Sequence, residues 1–138
     1  MRTLVVACVL VLGSLGACSR TERAAQPPSI AEVTVDTVDQ LLAKQECQAV
    51  DANGDATRKK LGTLPGAVLL SDSETFLTSE LPADKSRPLV FYCTNTHCGA
   101  SHQAAEKALT AGYKNVKVMP EGIAGWVKAG KPIAKVGS

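Results

Sequence analysis

The sequence predicts one α/β domain built on a mainly parallel, five-stranded sheet with helices on both faces. Short apolar runs alternate with segments of helical spacing, which is the pattern of parallel strands joined by helices. The clearest unit is the apolar run 89–93, followed by a polar loop and the helical segment 101–112. The chain has 138 residues, a net charge of +2 and no basic cluster, so we expect no nucleic-acid partner.

The amino terminus predicts an export signal rather than part of the fold. A short basic start precedes an apolar run, 4–15, that is too short to span a bilayer. The run ends in LGAC at residues 15–18, which resembles the bacterial lipobox. That resemblance implies cleavage of a signal peptide, 1–17, and acylation of Cys18, with palmitate among the acyl chains. An ordinary secretory signal and an uncleaved anchor remain alternatives.

A lipid-anchored protein of the cell envelope is therefore the expected form. Because Ser19 and not an aspartate follows Cys18, we expect the outer membrane, facing the periplasm, if the cell has one. Residues 18–30 are polar and contain Pro27 and Pro28, which predicts a flexible tether. The folded domain is predicted over residues 31–138.

The elements of that domain follow from the apolar spacing. Strands are predicted at 32–36, 47–51, 67–70, 89–93 and 116–119. Helices are predicted from a capping box at 37–40, from Asp55 to Leu61, from residue 71 with Phe76 and Leu77 inward, over 101–112 and over 123–129. Trp126 is expected in the core, Gly122 at a backbone turn, and Cys47 as a buried strand residue.

Cys93 is the candidate nucleophile because it ends the clearest strand. Sites in parallel sheets lie at the carboxyl ends of strands, where Asp51 is also predicted. Ser101 is a suitable N-cap for the following helix, whose unpaired N–H groups would favour a thiolate. The alternative is a cysteine that merely ends a buried strand.

Three motifs flank the cysteine, namely GTLPGA at 62–67, GYKNV at 112–116 and EGIAGWVKAGKP at 121–132. Together with Cys93 they resemble the rhodanese-like domain family, from about residue 33 to residue 133. The resemblance implies a parallel α/β domain whose cysteine, here Cys93, carries sulfane sulfur as a persulfide. A small sulfur donor and a thiol acceptor are the implied partners, and no cofactor is implied. We expect a monomer.

The loop after Cys93 departs from the commonest family pattern. Seven residues, 94–100, separate Cys93 from Ser101, where the family usually has five, and none of them is arginine. Thiosulfate is therefore a doubtful physiological donor. We call residues 94–100 the Cys93 loop, and we expect its N–H groups to converge on an anionic sulfur. The candidate anion-binding residues are Thr94, Asn95, Thr96, His97, Cys98, Gly99, Ala100 and Ser101.

Cys98 gives the loop a second thiol. The Cys-x4-Cys spacing resembles a subgroup of the family, and Cys98 could be a resolving thiol, a second sulfur carrier, a protective disulfide partner or a packing residue. A disulfide would require Cα atoms within about 7 Å, which a tight loop need not allow. We expect no metal site, because only His97 and His102 could join the two thiols and the spacing does not suit zinc.

Asp51 and Arg58 match an acidic residue and an arginine that often flank the family's site. A structural ion pair explains these residues better than acid–base chemistry does. Two classes of function remain open. The chain is either a sulfurtransferase or a non-catalytic rhodanese-like module that binds a partner or senses thiol oxidation. A reductase that uses Cys93 and Cys98 as a couple lies between the two.

Overall fold

A five-stranded parallel sheet in the order β1-β5-β4-β2-β3 forms the centre of the fold, as the computed structural model shows for residues 29–137. The predicted α/β class, with all four strand pairings parallel, is confirmed. The strands are β1 (Ala31–Glu32), β2 (Gln48–Asp51), β3 (Val68–Leu69), β4 (Leu89–Tyr92) and β5 (Val116–Met119). The helices are α1 (Val35–Ala43), α2 (Asp55–Leu61), α3 (Ala100–Thr110) and α4 (Gly122–Lys128).

The predictions for the amino terminus lie outside the described residues. They are the signal peptide, the acylation of Cys18 and most of the tether. Among residues 29–137, no helix has both the length and the apolar character that a membrane crossing requires.

Strand β4 lies between β2 and β5 and is fully buried, which explains its unbroken apolar sequence. Its side chains alternate between two core clusters, as they must in a strand. Leu89 and Phe91 pack on the face that α3 covers. Val90 and Tyr92 pack on the face that α1 and α4 cover. Cys93, the next residue, belongs to the α3 face.

Two predicted helix starts are wrong by a few residues. Helix α1 begins at Val35, and Thr34 is its N-cap, with its hydroxyl accepting a hydrogen bond from the N–H of Thr37 at 3.3 Å. Because Thr34 caps the helix, the predicted β1 is cut to two residues and the predicted capping box at 37–40 lies within α1. Helix α3 begins at Ala100, with Gly99 as N-cap, so Ser101 lies inside the first turn.

The predicted helix from residue 71 is also wrong. Asp72 accepts hydrogen bonds from the N–H groups of Glu74 and Thr75, at 2.9 and 2.8 Å, which closes a turn instead. The Glu80 carboxylate then accepts from the N–H groups of Ser71 and Leu77 and ends a short 3-10 helix. Phe76 is buried as predicted, but Leu77 is 68% exposed.

Candidate active site

Two sequence-predicted site residues, Asp51 and Cys93, lie at the same carboxyl edge of the sheet. Asp51 ends β2 and lies in register with Tyr92, the last residue of β4. Cys93 follows Tyr92 directly, and successive side chains of a strand point to opposite faces. Asp51 and Tyr92 therefore share one face of the sheet, and the Cys93 side chain is on the other, against α3.

Asp51, Arg58 and Tyr92 form a buried polar group that we call the Asp51 cluster. The Tyr92 hydroxyl donates to Asp51 Oδ2 at 2.6 Å, and Arg58 Nε lies 3.4 Å from Asp51 Oδ1. Arg58 Nη2 also donates to the carbonyl oxygens of Asp51 and Leu70, at 3.0 and 2.8 Å. Asp51 is fully buried and Arg58 is 6% exposed. The cluster contains the predicted ion pair and ties β2, α2 and β4 together.

Tyr92 remains protonated in this cluster. Burial raises the pKa of its hydroxyl far above the ordinary value, and the charge of Asp51 and the hydrogen bond to it raise the pKa further. The hydroxyl donates to Asp51 and also accepts from the N–H of Leu64 at 3.0 Å. It joins the GTLPGA motif to the sheet, and sequence analysis missed this role because Tyr92 looks like one more apolar strand residue.

Cys93 lies beneath its loop and is 1% exposed. Its sulfur is paired with that of Cys98 as a disulfide, and the two Cα atoms are 6.3 Å apart. Cys93 Sγ lies 3.2 Å from the carbonyl oxygen of Cys98 and 3.4 Å from Ser101 Oγ. The loop geometry is therefore compatible with a disulfide. Among the alternatives left open for Cys98, the structure favours those in which its sulfur bonds to Cys93 Sγ.

The expected convergence of loop N–H groups on the sulfur is wrong in this closed form. The N–H of His97 donates to the Asn95 side chain at 3.0 Å, and the N–H of Cys98 donates to the Asn95 carbonyl at 3.1 Å. These bonds form a turn that folds Cys98 back toward Cys93. The N–H groups of residues 100–102, in the first turn of α3, have no partner among the described residues. Ser101 is 1% exposed and its hydroxyl faces the sulfur.

The amino terminus of α4 fixes the backbone at Cys93. The N–H groups of Ile123 and Ala124 donate to the carbonyl oxygens of Cys93 and Thr94, at 2.8 and 2.9 Å. Gly122 has φ +60°, and a Cβ there would collide with those same two carbonyl oxygens. The downstream motif that contains Gly122 therefore positions the cysteine rather than merely turning the chain.

Asn53 is a site residue that sequence analysis missed by treating it only as part of a turn. Its N–H donates to Asp51 Oδ1 at 2.7 Å, and its side-chain oxygen accepts from the Thr94 hydroxyl at 2.8 Å. Asn53 is 7% exposed, yet its side-chain N–H group has no partner among the described residues. Asn53 thus connects the Asp51 cluster with the Cys93 loop and retains an unused donor. The signal that the sequence offered for Asn53 was its position two residues after Asp51, at the end of a predicted strand.

The remaining candidate residues lie at the surface of the loop. The side chains of Asn95, Thr96 and His97 are exposed. His102 Nε2 lies 3.6 Å from a carboxylate oxygen of Glu32, at the end of β1, and not against the sulfur. Within residues 29–137 no group of three or more His, Cys, Asp or Glu side chains is arranged to bind a metal ion.

A cavity of about 320 Å³ lies away from this site. Its walls are Asp39, Leu42, Ala43, Pro65, Trp126 and Pro132. These residues come from α1, from α4 and from the segments after α2 and α4, and none belongs to the Cys93 loop.

The fold and the strand-end thiol together define a class of protein, namely a parallel α/β domain with a cysteine-bearing loop at the carboxyl edge of its sheet. Residues 34–129 match the model of the rhodanese-like domain family. Because that match covers more than half of the sequence, the chain belongs to the rhodanese-like domain family. No curated protein matches the chain.

Solved structures agree with this assignment at the level of the fold. The chain is similar to the rhodanese-like domain of an Anabaena protein, at 19% identity and a TM-score of 0.64, over 78% of this chain and 81% of that one. It is similar to a 3-mercaptopyruvate sulfotransferase from Escherichia coli, at 19% identity and 0.64, over 80% of this chain and 52% of that one. It is also similar to a thiosulfate sulfurtransferase from Pseudomonas aeruginosa, at 19% identity and 0.64, over 79% of this chain and 21% of that one.

Proposed function

We propose that this chain is a sulfurtransferase that carries sulfane sulfur as a persulfide on Cys93. The observation that carries the proposal is the position of Cys93, at the carboxyl end of the central strand β4 and against the first turn of α3, in a rhodanese-like domain. A thiol at a helix amino terminus ionises readily, and the thiolate is the form that attacks sulfur. The sulfurtransferases among the structural neighbours support the same reaction class.

The chemistry requires donors around an anionic sulfur. The thiolate of Cys93 attacks the outer sulfur of the donor, the donor's sulfur–sulfur bond breaks, and a persulfide remains on Cys93. The Ser101 hydroxyl at 3.4 Å and the free N–H groups of residues 100–102 are suited to stabilise that charge. The unused side-chain N–H group of Asn53, beside Thr94, adds a buried donor at the same edge.

The donor we propose is an organic persulfide or polysulfide rather than thiosulfate. Thiosulfate is a compact dianion, and a loop that recognises it benefits from a guanidinium group. None of the residues 94–100 is arginine, and Arg58, the buried arginine nearby, is already engaged by Asp51 and two carbonyl oxygens.

The cellular setting is part of the proposal. The LGAC motif supports acylation of Cys18, and the polar segment 19–30 would let an anchored domain lie off the membrane surface. Replacing Cys18 with Ser should leave an unprocessed or soluble protein. Unchanged membrane association and gel mobility in that variant would contradict the lipid anchor.

A non-catalytic, thiol-sensing module is the second candidate, and the closed loop favours it. Cys93 is 1% exposed and paired, so in this form it cannot meet a donor. A sensor would use only the change between the paired and reduced states.

Mass spectrometry of the reduced chain separates the two candidates. The reduced protein is treated with thiosulfate, thiocysteine or polysulfide and digested, and the Cys93 peptide is examined. A sulfurtransferase should gain the mass of one sulfur atom on Cys93, and Cys93→Ser should lose all transfer to a thiol acceptor. If no donor adds sulfur to Cys93 in either the wild type or Cys98→Ser, or if Cys93→Ser keeps its turnover, the proposal is wrong.

A further inference from the structure

The Cys93 loop contains a second sulfur that reaches the first without any rearrangement of the fold. The Cα atoms of Cys93 and Cys98 are 6.3 Å apart, within the usual range for a disulfide. The turn that Asn95 forms with the N–H groups of His97 and Cys98 delivers Cys98 to that position. The backbone of Cys93 is fixed independently by α4. Loop geometry therefore predisposes the two sulfurs to react with each other.

The closed loop suits an uncharged sulfur and disfavours an anionic one. The Cys98 carbonyl oxygen, with its partial negative charge, lies 3.2 Å from Cys93 Sγ, and Cys93 is 1% exposed. A thiolate or persulfide at this position would be repelled by the oxygen and deprived of water. A disulfide carries no charge and avoids both costs. The closed form therefore stabilises the disulfide product and destabilises the charged thiolate and persulfide.

Resting on the proposed function, we infer that Cys98 resolves the Cys93 persulfide and releases sulfide, which makes the chain a sulfane-sulfur reductase. The Cys98 thiolate attacks Cys93 Sγ and forms the Cys93–Cys98 bond. The bond between Cys93 Sγ and the terminal sulfur breaks, and that sulfur leaves with the electron pair, taking up the proton that the Cys98 thiol gave up on ionising, as HS⁻. The sulfane sulfur gains the two electrons that the two thiolates lose. An external thiol or dithiol then reduces the disulfide and is itself oxidised.

The resolving step is intramolecular, which distinguishes it from transfer to an external thiol. A tethered thiol acts at an effective concentration in the millimolar range or above, independent of the protein concentration. Sulfide release should therefore proceed without an added thiol, once for each reduced chain, and should stop when Cys98 is consumed.

The test is a single-turnover experiment on the full chain. The protein is reduced, freed of reductant and mixed with thiocysteine in the absence of any added thiol. We expect one sulfide per chain, a rate independent of protein concentration, and a Cys93–Cys98 disulfide that appears at the same rate. In Cys98→Ser the persulfide should form on Cys93 and persist about tenfold longer or more.

Cys47→Ala is the matched control, because Cys47 is a buried free thiol in the other core cluster. It should release sulfide as the wild type does. Equal persulfide lifetimes in the wild type and in Cys98→Ser would overturn the inference and leave sulfur transfer through Cys93 intact. Absence of any Cys93 persulfide in Cys98→Ser would overturn the inference together with the proposed function.

Discussion

The Asp51 cluster and the Cys93 loop lie at the same edge of the sheet, on opposite faces, and differ in how their polar groups are used. In the Asp51 cluster each carboxylate oxygen has a partner, and the guanidinium group of Arg58 also bonds two carbonyl oxygens. Beside the Cys93 loop, the Ser101 hydroxyl lies 3.4 Å from Cys93 Sγ, and the N–H groups of residues 100–102 in α3 have no partner among the described residues. Saturated hydrogen bonding stabilises one arrangement, whereas unused donors leave room for a ligand or a charge.

This difference predicts a division between stability and chemistry. Substitutions in the Asp51 cluster should lower the free energy of unfolding and affect sulfur transfer only through folding. Substitutions of side chains that contact Cys93 Sγ should change the chemistry and leave the free energy of unfolding nearly unchanged.

Arg58→Met should have the largest effect. It leaves the fully buried Asp51 carboxylate without its cation and the Leu70 carbonyl oxygen without a donor, whereas the Asp51 carbonyl oxygen keeps the N–H of Leu70 at 3.1 Å. Breaking a buried ion pair in this way costs about 3–5 kcal/mol. Urea unfolding should show the loss, with Lys59→Met, at an exposed position on the same helix, as control. If Arg58→Met lost no more free energy of unfolding than Lys59→Met, the Asp51–Arg58 ion pair would not contribute to stability.

Tyr92→Phe should have an intermediate effect and change the pH dependence of stability. It removes the donor to Asp51 and the acceptor for the N–H of Leu64, at a cost of about 1–3 kcal/mol. Because the pKa of Tyr92 is raised in the folded protein, its contribution is complete below the unfolded-state pKa near 10 and decreases as the pH rises above it.

The measurement is the free energy of unfolding between pH 8 and pH 11, values chosen to bracket the ordinary tyrosine pKa of about 10. The wild type should lose stability above about pH 10 more steeply than Tyr92→Phe does. The hydroxyl of Tyr113 also has a raised pKa through burial and is common to both proteins, so it cancels in the difference. If the two curves of free energy against pH ran parallel, the pKa of Tyr92 would be the same in the folded and the unfolded protein.

Ser101→Ala should have the smallest effect on stability and a clear effect on chemistry. The hydroxyl contributes no cap to α3 and faces Cys93 Sγ at 3.4 Å. A hydrogen bond to a charged group contributes about 1.5–3 kcal/mol, so alkylation of the reduced Cys93 should slow roughly tenfold while unfolding changes by less than about 1 kcal/mol. Thr96→Ala, at an exposed loop position, is the control. Equal alkylation rates in the two variants would mean that Ser101 only packs against the sulfur.

The sequence predicted most of the fold because strands and helices here follow local apolar spacing. The apolar residues of β4 and the spacing of Ala104, Ala105 and Ala108 in α3 are visible without any structure. The helix predicted from residue 71 failed because the carboxylates of Asp72 and Glu80 bind nearby N–H groups and compete with helical hydrogen bonds. The N-cap of α3 is Gly99 and not the predicted Ser101. No side chain caps this helix, so the type of residue could not indicate where the helix begins.

The sequence by itself determined the parallel α/β class, the strand-end position of Cys93 and the spacing that places Cys98 within its reach. Only the tertiary structure decided which groups surround these residues. Tyr92 contacts Asp51 across 41 positions of sequence, as Thr94 contacts Asn53, and the N–H of Ile123 in α4 binds the carbonyl oxygen of Cys93. Apolar spacing reports which face of an element is buried. The partner of a buried polar group depends on contacts between distant segments, and these exist only once the sheet has assembled.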